Sequence, residues 1–292
     1  MFTGWVYDHL VSCKVPIKVA HSAMLKAIAT GKKKNDQVDA RKISDLLRCD
    51  YFPECHMAAR ETRDRRRVLR YRNLLVSQTV RMKNKVSGLL METGVPYNKQ
   101  KLHQKRYFQN LLEEQKELMP QSLPELLRLS RSTIETLTRM DRQLIQALRA
   151  DAVLATRVRR LMTVPGVGPI LALTWALEAG DVSRFPSIKD AISYCGLCGA
   201  ERGSGGKLQR TPISKQRNKH LQTTLIEAAK VAPRWHTELA GVYEHERLKG
   251  NRNRGTLAVA RKLVAYLVAV DRGKRDFEER QPRAVVAPEC RS

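Results

Sequence analysis

Two short patterns place side chains suited to phosphoryl transfer. The first is Asn35-Asp36-Gln37-Val38-Asp39-Ala40, where Asp36 and Asp39 sit three apart at a helix start and can face one side of it. Hard oxygen ligands of this kind suit one or two Mg2+ ions, which activate water or a hydroxyl for attack on a phosphodiester. The same acids also fit an ordinary helix N-terminus, where they complement the dipole and cap free N–H groups. Lys32, Lys33 and Lys34 stand just ahead and can hold a phosphate backbone. The second pattern is Glu201-Arg-Gly-Ser204-Gly-Gly-Lys207-Leu-Gln-Arg210. It is not a Walker A loop, because Leu208 follows Gly206-Lys207 and Glu201 occupies the place of the first glycine. It reads instead as a serine on a glycine-flexible loop, amid Arg202, Lys207, Arg210, Lys215 and Arg217. A hydroxyl that attacks phosphorus needs exposure, mobility and cations to hold the phosphoryl charge; no histidine stands beside this one as a base.

Two further patterns concern binding. Arg60, Arg63, Arg65, Arg66, Arg67, Arg70 and Arg72 cannot share one helical face, and only Glu61 and Asp64 offset them. Guanidinium forks take phosphate bidentately, which favours a nucleic-acid contact over a merely solvated helix. In Val164-Pro-Gly166-Val-Gly168-Pro169, two helices flank a hairpin turn of the helix-hairpin-helix kind. Its glycines can bring backbone N–H groups to a phosphate oxygen, or can simply make a tight turn. Cys195-Gly-Leu-Cys198 is a lone pair without a second pair at zinc-ribbon spacing. The six cysteines therefore read as reduced thiols, with small buried hydrophobes as the alternative to a metal site.

The elements that must position these groups are mostly helical. A short strand is expected at 16–20 and a helix at 22–29, closed by Gly31, followed by a second helix at 36–49. Helical spacing of Val68, Leu69, Leu75, Val86 and Leu90 predicts a long helix over 58–92. Helices over 111–119 and 124–150 follow. The stripe Ile134, Leu137, Leu144 and Leu148 lies close to heptad spacing and suits a coiled coil, within the chain or between chains.

The chain has 292 residues, with 54 Lys+Arg against 29 Asp+Glu, for a net charge of +25. A charge of that size calls for a polyanion, and nucleic acid is the usual one. Aromatics at 5% argue against base stacking as the main binding device, and 42% hydrophobic residues exclude a wholly disordered basic chain. The start lacks a secretory n-region, and the apolar stretch at 257–270 is too short to span a bilayer and carries Arg261 and Lys262. The expectation is a soluble, cytoplasmic, nucleoid-associated protein with no membrane role.

Taken in order, these motifs resemble the DEDD transposases of bacterial insertion sequences whose target choice is directed by a bridge RNA. The resemblance rests on Lys34-Asn-Asp-Gln-Val-Asp-Ala40, the Val-Pro-Gly-Val-Gly-Pro hairpin, Tyr194-Cys-Gly-Leu197, Ser204-Gly-Gly206, and Ile213-Ser-Lys215 with Asn218 and Leu221. It covers residues 2–271. It implies a RuvC-like domain of ribonuclease H type, a helical coiled-coil middle, and a mostly α-helical C-terminal transposase domain. It implies Asp36 and Asp39 as the third and fourth acids of a Mg2+ site and Ser204 as the nucleophile joined covalently to DNA. The family's first two acids precede the segment around Thr3-Gly4 and have no counterpart after Met1, so a shortened copy is expected.

The resulting expectation is an α/β plus α chain. A RuvC-like remnant spans 1–58, a helical region 59–150, a transposase domain 151–271 and a disordered tail 272–292. Its function is excision and insertion of a mobile element through Ser204, with Mg2+, DNA ends and target, a guide RNA and a homo-oligomer. The rival readings are a non-catalytic nucleic-acid binder and a structure-specific nuclease, which would share the acids without needing the serine.

Overall fold

The computed structural model describes residues 3–21, 24–25, 35–204, 207–213 and 217–279, with the backbone alone for 200–204 and 207–212. The chain divides into two compact units, Met1–Asp64 and Arg65–Ser292.

The first unit holds α1 (Thr3–Val11), α2 (Asp36–Arg48) and the first turn of α3 (Arg60–Glu92). Asn35 starts α2 by accepting the Val38 N–H at 2.8 Å, the usual device of an asparagine N-cap. The strand expected at 16–20 does not form. Ala20 makes an isolated antiparallel bridge with Glu54, flanked by Cys55 N–H to the Val19 carbonyl at 2.7 Å. A β-branched run becomes a strand only where a neighbour pairs along its length, and 53–55 offers too little. The helix expected at 22–29 falls largely outside the described residues. Neither α1 nor α2 buries a side chain, and Trp5 is 71% exposed. Arg63 fastens α1 instead, donating to the Gly4 carbonyl at 2.9 Å and pairing with Asp8.

In the second unit, α3 packs with α4 (Lys105–Glu114) and α5 (Leu123–Ala150) around Val86, Leu90, Leu102, Phe108, Leu127 and Ile134. Helix α4 begins well before its expected start at 111, because Phe108 as well as Leu111 faces the core. The residues up to Leu118 form only a 3-10 turn. Of the stripe on α5, Ile134 is buried in this cluster and Leu148 in the next, while Leu137 and Leu144 are half-buried.

The larger core gathers α6 (Ala152–Leu161), α7 (Pro169–Thr174), α8 (Ile188–Tyr194), α9 (Lys219–Val231), α10 (Thr237–Leu248) and α11 (Arg252–Gly273). Apolar residues surround much of α11, and Val259, Ala260, Leu263, Val264 and Leu267 are wholly buried, as a helix at the centre of a core requires. Helix α7 continues through a buried π turn, Trp175–Ala179. Lys274 closes α11 in the left-handed conformation. Of the tail expected to be disordered from 272, the part from 280 lies outside the described residues. The part up to 279 is anchored: Phe277 packs 4.8 Å from the Tyr266 ring and donates its N–H to Thr163 Oγ1 at 2.8 Å. A single aromatic in a charged run is enough to hold it.

Among the described residues the one sheet is a hairpin of β1 (Gly199–Ser204) and β2 (Lys207–Ile213), so the chain is mostly helical and the α/β character expected of its first unit is not seen there. No described helix is long and apolar enough to cross a membrane.

Candidate functional site

Asp36 and Asp39 occupy the first turn of α2, Asp36 exposed and Asp39 half-buried. The Asp39 N–H is satisfied by the Asn35 carbonyl at 3.0 Å, and the cap itself is Asn35, so neither acid is needed to close the helix. Their oxygens are of the type Mg2+ takes, but two carboxylates fall short of the octahedral oxygen shell it prefers. Among the described residues no group of three or more His, Cys, Asp or Glu is placed to hold a metal ion. Lys32, Lys33 and Lys34 lie outside the described residues.

Ser204 is the last residue of β1, not a residue of an open loop. The register sets it opposite Lys207, Arg202 opposite Gln209, and Glu201 opposite Arg210, with a bulge between Gly199 and Glu201. Antiparallel pairing close up to a turn fixes where the serine stands relative to both stems. Lys215 lies outside the described residues.

The stems are held from below. Tyr194 ends α8 and Asn218 caps α9, and the Asn218 N–H donates to the Tyr194 carbonyl at 3.1 Å, closing the base of the 195–217 excursion. Gln222 donates to the Gly196 carbonyl at 2.6 Å, and Arg261 to the Leu197 carbonyl at 2.8 Å. Gly196 has φ +70°, and a Cβ there would stand 2.4 Å from the Arg217 Cβ, so only glycine fits.

Beneath this base lies a buried carboxylate. The Glu178 side chain has no exposed surface and sits in the π turn. Arg70 takes it bidentately at 2.7 and 2.9 Å, Asn218 Nδ2 donates to it at 2.9 Å, and Arg66 lies at 3.6 Å. Burial pushes its pKa up, but the hydrogen bonds of Arg70 and Asn218 and the two guanidinium charges outweigh that and hold the carboxyl below its ordinary range. The same pairing raises the pKa of Arg70, while burial lowers that of Arg66.

The π turn leaves carbonyls without helical partners, and arginines take most of them. Arg157 donates to the Ala176 carbonyl at 3.2 Å, Arg66 to Leu177 at 2.7 Å, the Tyr194 hydroxyl to Glu178 at 3.0 Å and Arg184 to Ala179 at 3.0 Å. Arg157 also forks onto Asp271, which accepts the Trp175 indole N–H at 2.9 Å.

The arginine run is thereby put to work inside the chain. Besides Arg63, Arg66 and Arg70, Arg65 binds Asp151 at 2.6 Å and Arg72 binds Asp141 at 2.6 Å. Arg60 and Arg67 are exposed. Neither the solvated nor the phosphate reading of this run anticipated an intramolecular fastener, because the partners of Arg65, Arg66, Arg70 and Arg72 lie 69 to 111 positions away in the chain.

At the Pro-Gly-Val-Gly turn, Gly166 has φ +79° and its α-carbon faces Ala232, while Gly168 is exposed and precedes α7 with open space around it. The two glycines thus differ: the first is required by packing, the second is not. Cys195 is buried and its thiol is pushed up to about 12 by that burial, so it is inert at neutral pH.

Glu178 and His220 are the site residues that sequence reasoning missed, whereas Asn218 is named only as part of the family resemblance. Arg72 donates to Asn73 Oδ1 at 3.3 Å, which turns Asn73 Nδ2 toward His220 Nδ1 at 3.3 Å. An acid in the apolar run Leu171–Ala179 is the signal that could have been followed, since a carboxylate survives burial only with partners.

This architecture, a helical core carrying an anchored serine hairpin, is found with two family matches. Residues 3–95 match the DEDD transposase domain of IS110 type, and residues 158–244 match the Transposase IS116/IS110/IS902 family. The chain is 30% identical over 170 residues to a probable family 20 transposase of Pseudomonas aeruginosa, covering 56% of this chain and 49% of that protein. It is 29% identical over 204 residues to the transposase for insertion sequence element IS1328 of Yersinia enterocolitica, covering 68% and 58%. A pilin gene-inverting protein of Moraxella bovis is 28% identical over 149 residues, covering 50% and 46%. The chain spans about half the length of these curated relatives. Two successive spans of the chain are thus similar to the two domains of IS110/IS116 family transposases.

Proposed function

We propose that this chain takes part in transposition of an insertion sequence by cleaving and joining DNA through the Ser204 hydroxyl. The observation that carries the reading is the ordered domain pair, with Asp36 and Asp39 inside the first matched span and Ser204 inside the second. The anchored hairpin supports it as well, because a nucleophile needs a fixed position against its target. In the step, a bond forms between Ser204 Oγ and phosphorus, and the bond from phosphorus to one deoxyribose oxygen breaks. That oxygen leaves as a hydroxyl, taking a proton from solvent as the serine proton passes to solvent. Joining is the same exchange with a strand hydroxyl attacking and the serine leaving.

Asp36 and Asp39 supply two carboxylates toward a divalent ion, Mg2+, whose chemistry when bound is to activate a hydroxyl and neutralise phosphoryl charge. The Pro-Gly-Val-Gly turn at Gly166 and Gly168, Lys32 to Lys34, Arg60, Arg67 and the basic residues Arg202, Lys207, Arg210 and Lys215 serve element ends, target DNA and a guide RNA, consistent with the +25 charge. The RuvC-like fold of the first domain, guidance by a bridge RNA and assembly as a homo-oligomer belong to the same reading. A denaturing gel of end-labelled element DNA incubated with the chain, Mg2+ and its guide tests it. A protein-linked band that disappears in Ser204→Ala is expected; a band that persists in that variant overturns the role of Ser204.

A further inference from the structure

A carboxylate in an otherwise apolar helix is costly to bury, and an apolar residue of similar size generally fills such a place at lower free energy. Glu178 therefore invites the question of what its charge specifies. Its partners give the answer. Through its carboxylate it holds Asn218, at 2.9 Å, and through its main-chain carbonyl it holds the Tyr194 hydroxyl, at 3.0 Å. Those two residues are the last before and the first after the 195–217 excursion that contains β1 and β2, and they bond to each other across its base. Arg70 of α3 takes both carboxylate oxygens, and the Oε2 that accepts from Asn218 also accepts from Arg70 Nη2 and lies 3.6 Å from Arg66, so both stems of the hairpin are referred to one point in the core.

The attachment is directional. Asn218 Oδ1 is occupied in capping α9, accepting from His220 N–H at 3.1 Å and Leu221 N–H at 3.2 Å. Its Nδ2 is thus obliged to face Glu178 as donor, and a carboxylate is the acceptor that takes this amide and the guanidiniums together.

We propose that Glu178 is a positioning residue for the hairpin bearing Ser204: its carboxylate clamps the two stems, so that loss of this contact loosens β1 and β2 while leaving the helical core folded. Its consequence for strand transfer rests on the proposed role of Ser204; the clamp itself does not.

The test is a cycle on the full chain comparing wild type, Asn218→Asp, Glu178→Gln and the double variant. In Asn218→Asp the new carboxylate still caps α9, but it stands against that of Glu178. In the double variant the amide introduced by Glu178→Gln donates to the carboxylate introduced by Asn218→Asp, and Arg70 Nη2, which in wild type shares Oε2 with Asn218, turns to that new carboxylate. Amide hydrogen exchange is read at 199–213 and, as control, in α11. Exchange in the hairpin should rise about tenfold in Asn218→Asp, with α11 unchanged, and should return close to wild type in the double variant. If Asn218→Asp does not fold, Asn218→Ser keeps a cap oxygen, removes the amide donor and should show the same local loosening. Unchanged hairpin exchange, equal loosening in α11, or purely additive effects in the cycle would overturn the clamp. The rate of DNA adduct formation is followed in parallel, at unchanged DNA affinity. Should the exchange results hold while wild type forms no Ser204-dependent adduct, the clamp stands and the serine reading falls. Should wild type form the adduct at a rate that Asn218→Asp does not slow, Glu178 has no positioning role.

Discussion

A Cβ built on Gly166 would stand 2.4 Å from the Cβ of Ala232, and Gly166 itself holds φ +79°. Two penalties therefore meet at one position: the left-handed backbone and an overlap that α9's end cannot relieve without moving. Gly166→Ala is expected to lower stability by about 2–4 kcal/mol. Adding Ala232→Gly should recover the overlap with the methyl and leave the part due to φ and to the Ala232 α-carbon, 2.9 Å away. Gly168→Ala, with nothing within 4 Å of its new methyl, should leave stability unchanged. Chemical denaturation of the three variants decides this, and any loss of DNA binding in Gly168→Ala then reports contact with the ligand.

The arginine helix separates into fasteners and outward-facing groups. Arg65→Ala removes the partner of Asp151, a carboxyl that the Arg65 hydrogen bond holds below its ordinary range and that also caps α6. It should cost about 1–2 kcal/mol, since the pair is partly exposed. Arg60→Ala should leave stability within about 0.5 kcal/mol and weaken nucleic-acid binding alike across sequences, with the salt slope falling by about 1. A stability loss in Arg60→Ala equal to that in Arg65→Ala would contradict the division.

Acid should destabilise the fold in two stages. Burial lowers the pKa of His220 and of His103, so the unfolded chain binds protons first and stability falls as pH drops below about 6.5. Glu178 behaves in the same direction at lower pH: its contribution is present above its ordinary value of 4.5 and is lost as pH falls through its depressed folded value. Thermal melts from pH 8 to pH 3 should decline over both windows. Glu178→Ala should cost about 3 kcal/mol at pH 7, because it leaves the largely buried Arg66 and the Asn218 amide without their carboxylate while the half-exposed Arg70 regains water, and the lower window should shrink in that variant.

Thiol chemistry offers an independent check on the hairpin base. At pH 8 a small alkylating reagent should label the exposed Cys13 and Cys49 and spare Cys195, which is buried with its thiol pushed up to about 12. Peptide mass spectrometry of the folded chain reads this directly; rapid labelling of Cys195 would mean that the base beneath the excursion opens.

The long helices were legible in the sequence because their apolar residues recur at helical spacing, and α3 and α5 fall within a residue or two of the expected bounds. Asn35 and Asp36 likewise announce the start of α2. What the sequence concealed is long-range pairing. Nothing near Arg66 or Arg70 reveals that their carboxylate stands more than a hundred residues on, in an apolar run. The hairpin escaped for a different reason: Glu201 to Arg210 is polar, glycine-rich and without alternating apolar residues, so it carries the composition of a loop while pairing as strands. The strand expected at 16–20 failed in the opposite sense, having the composition but little to pair with.

The central claim is that Ser204 becomes covalently joined to DNA. The most direct measurement is to incubate the chain with Mg2+, guide RNA and element DNA, digest protein and nucleic acid, and locate by mass spectrometry the peptide that carries a residual nucleotide. The nucleotide is expected on Ser204 and is expected to be absent in Ser204→Ala. A nucleotide found on another residue, or none in wild type under conditions where DNA is cleaved, would contradict it.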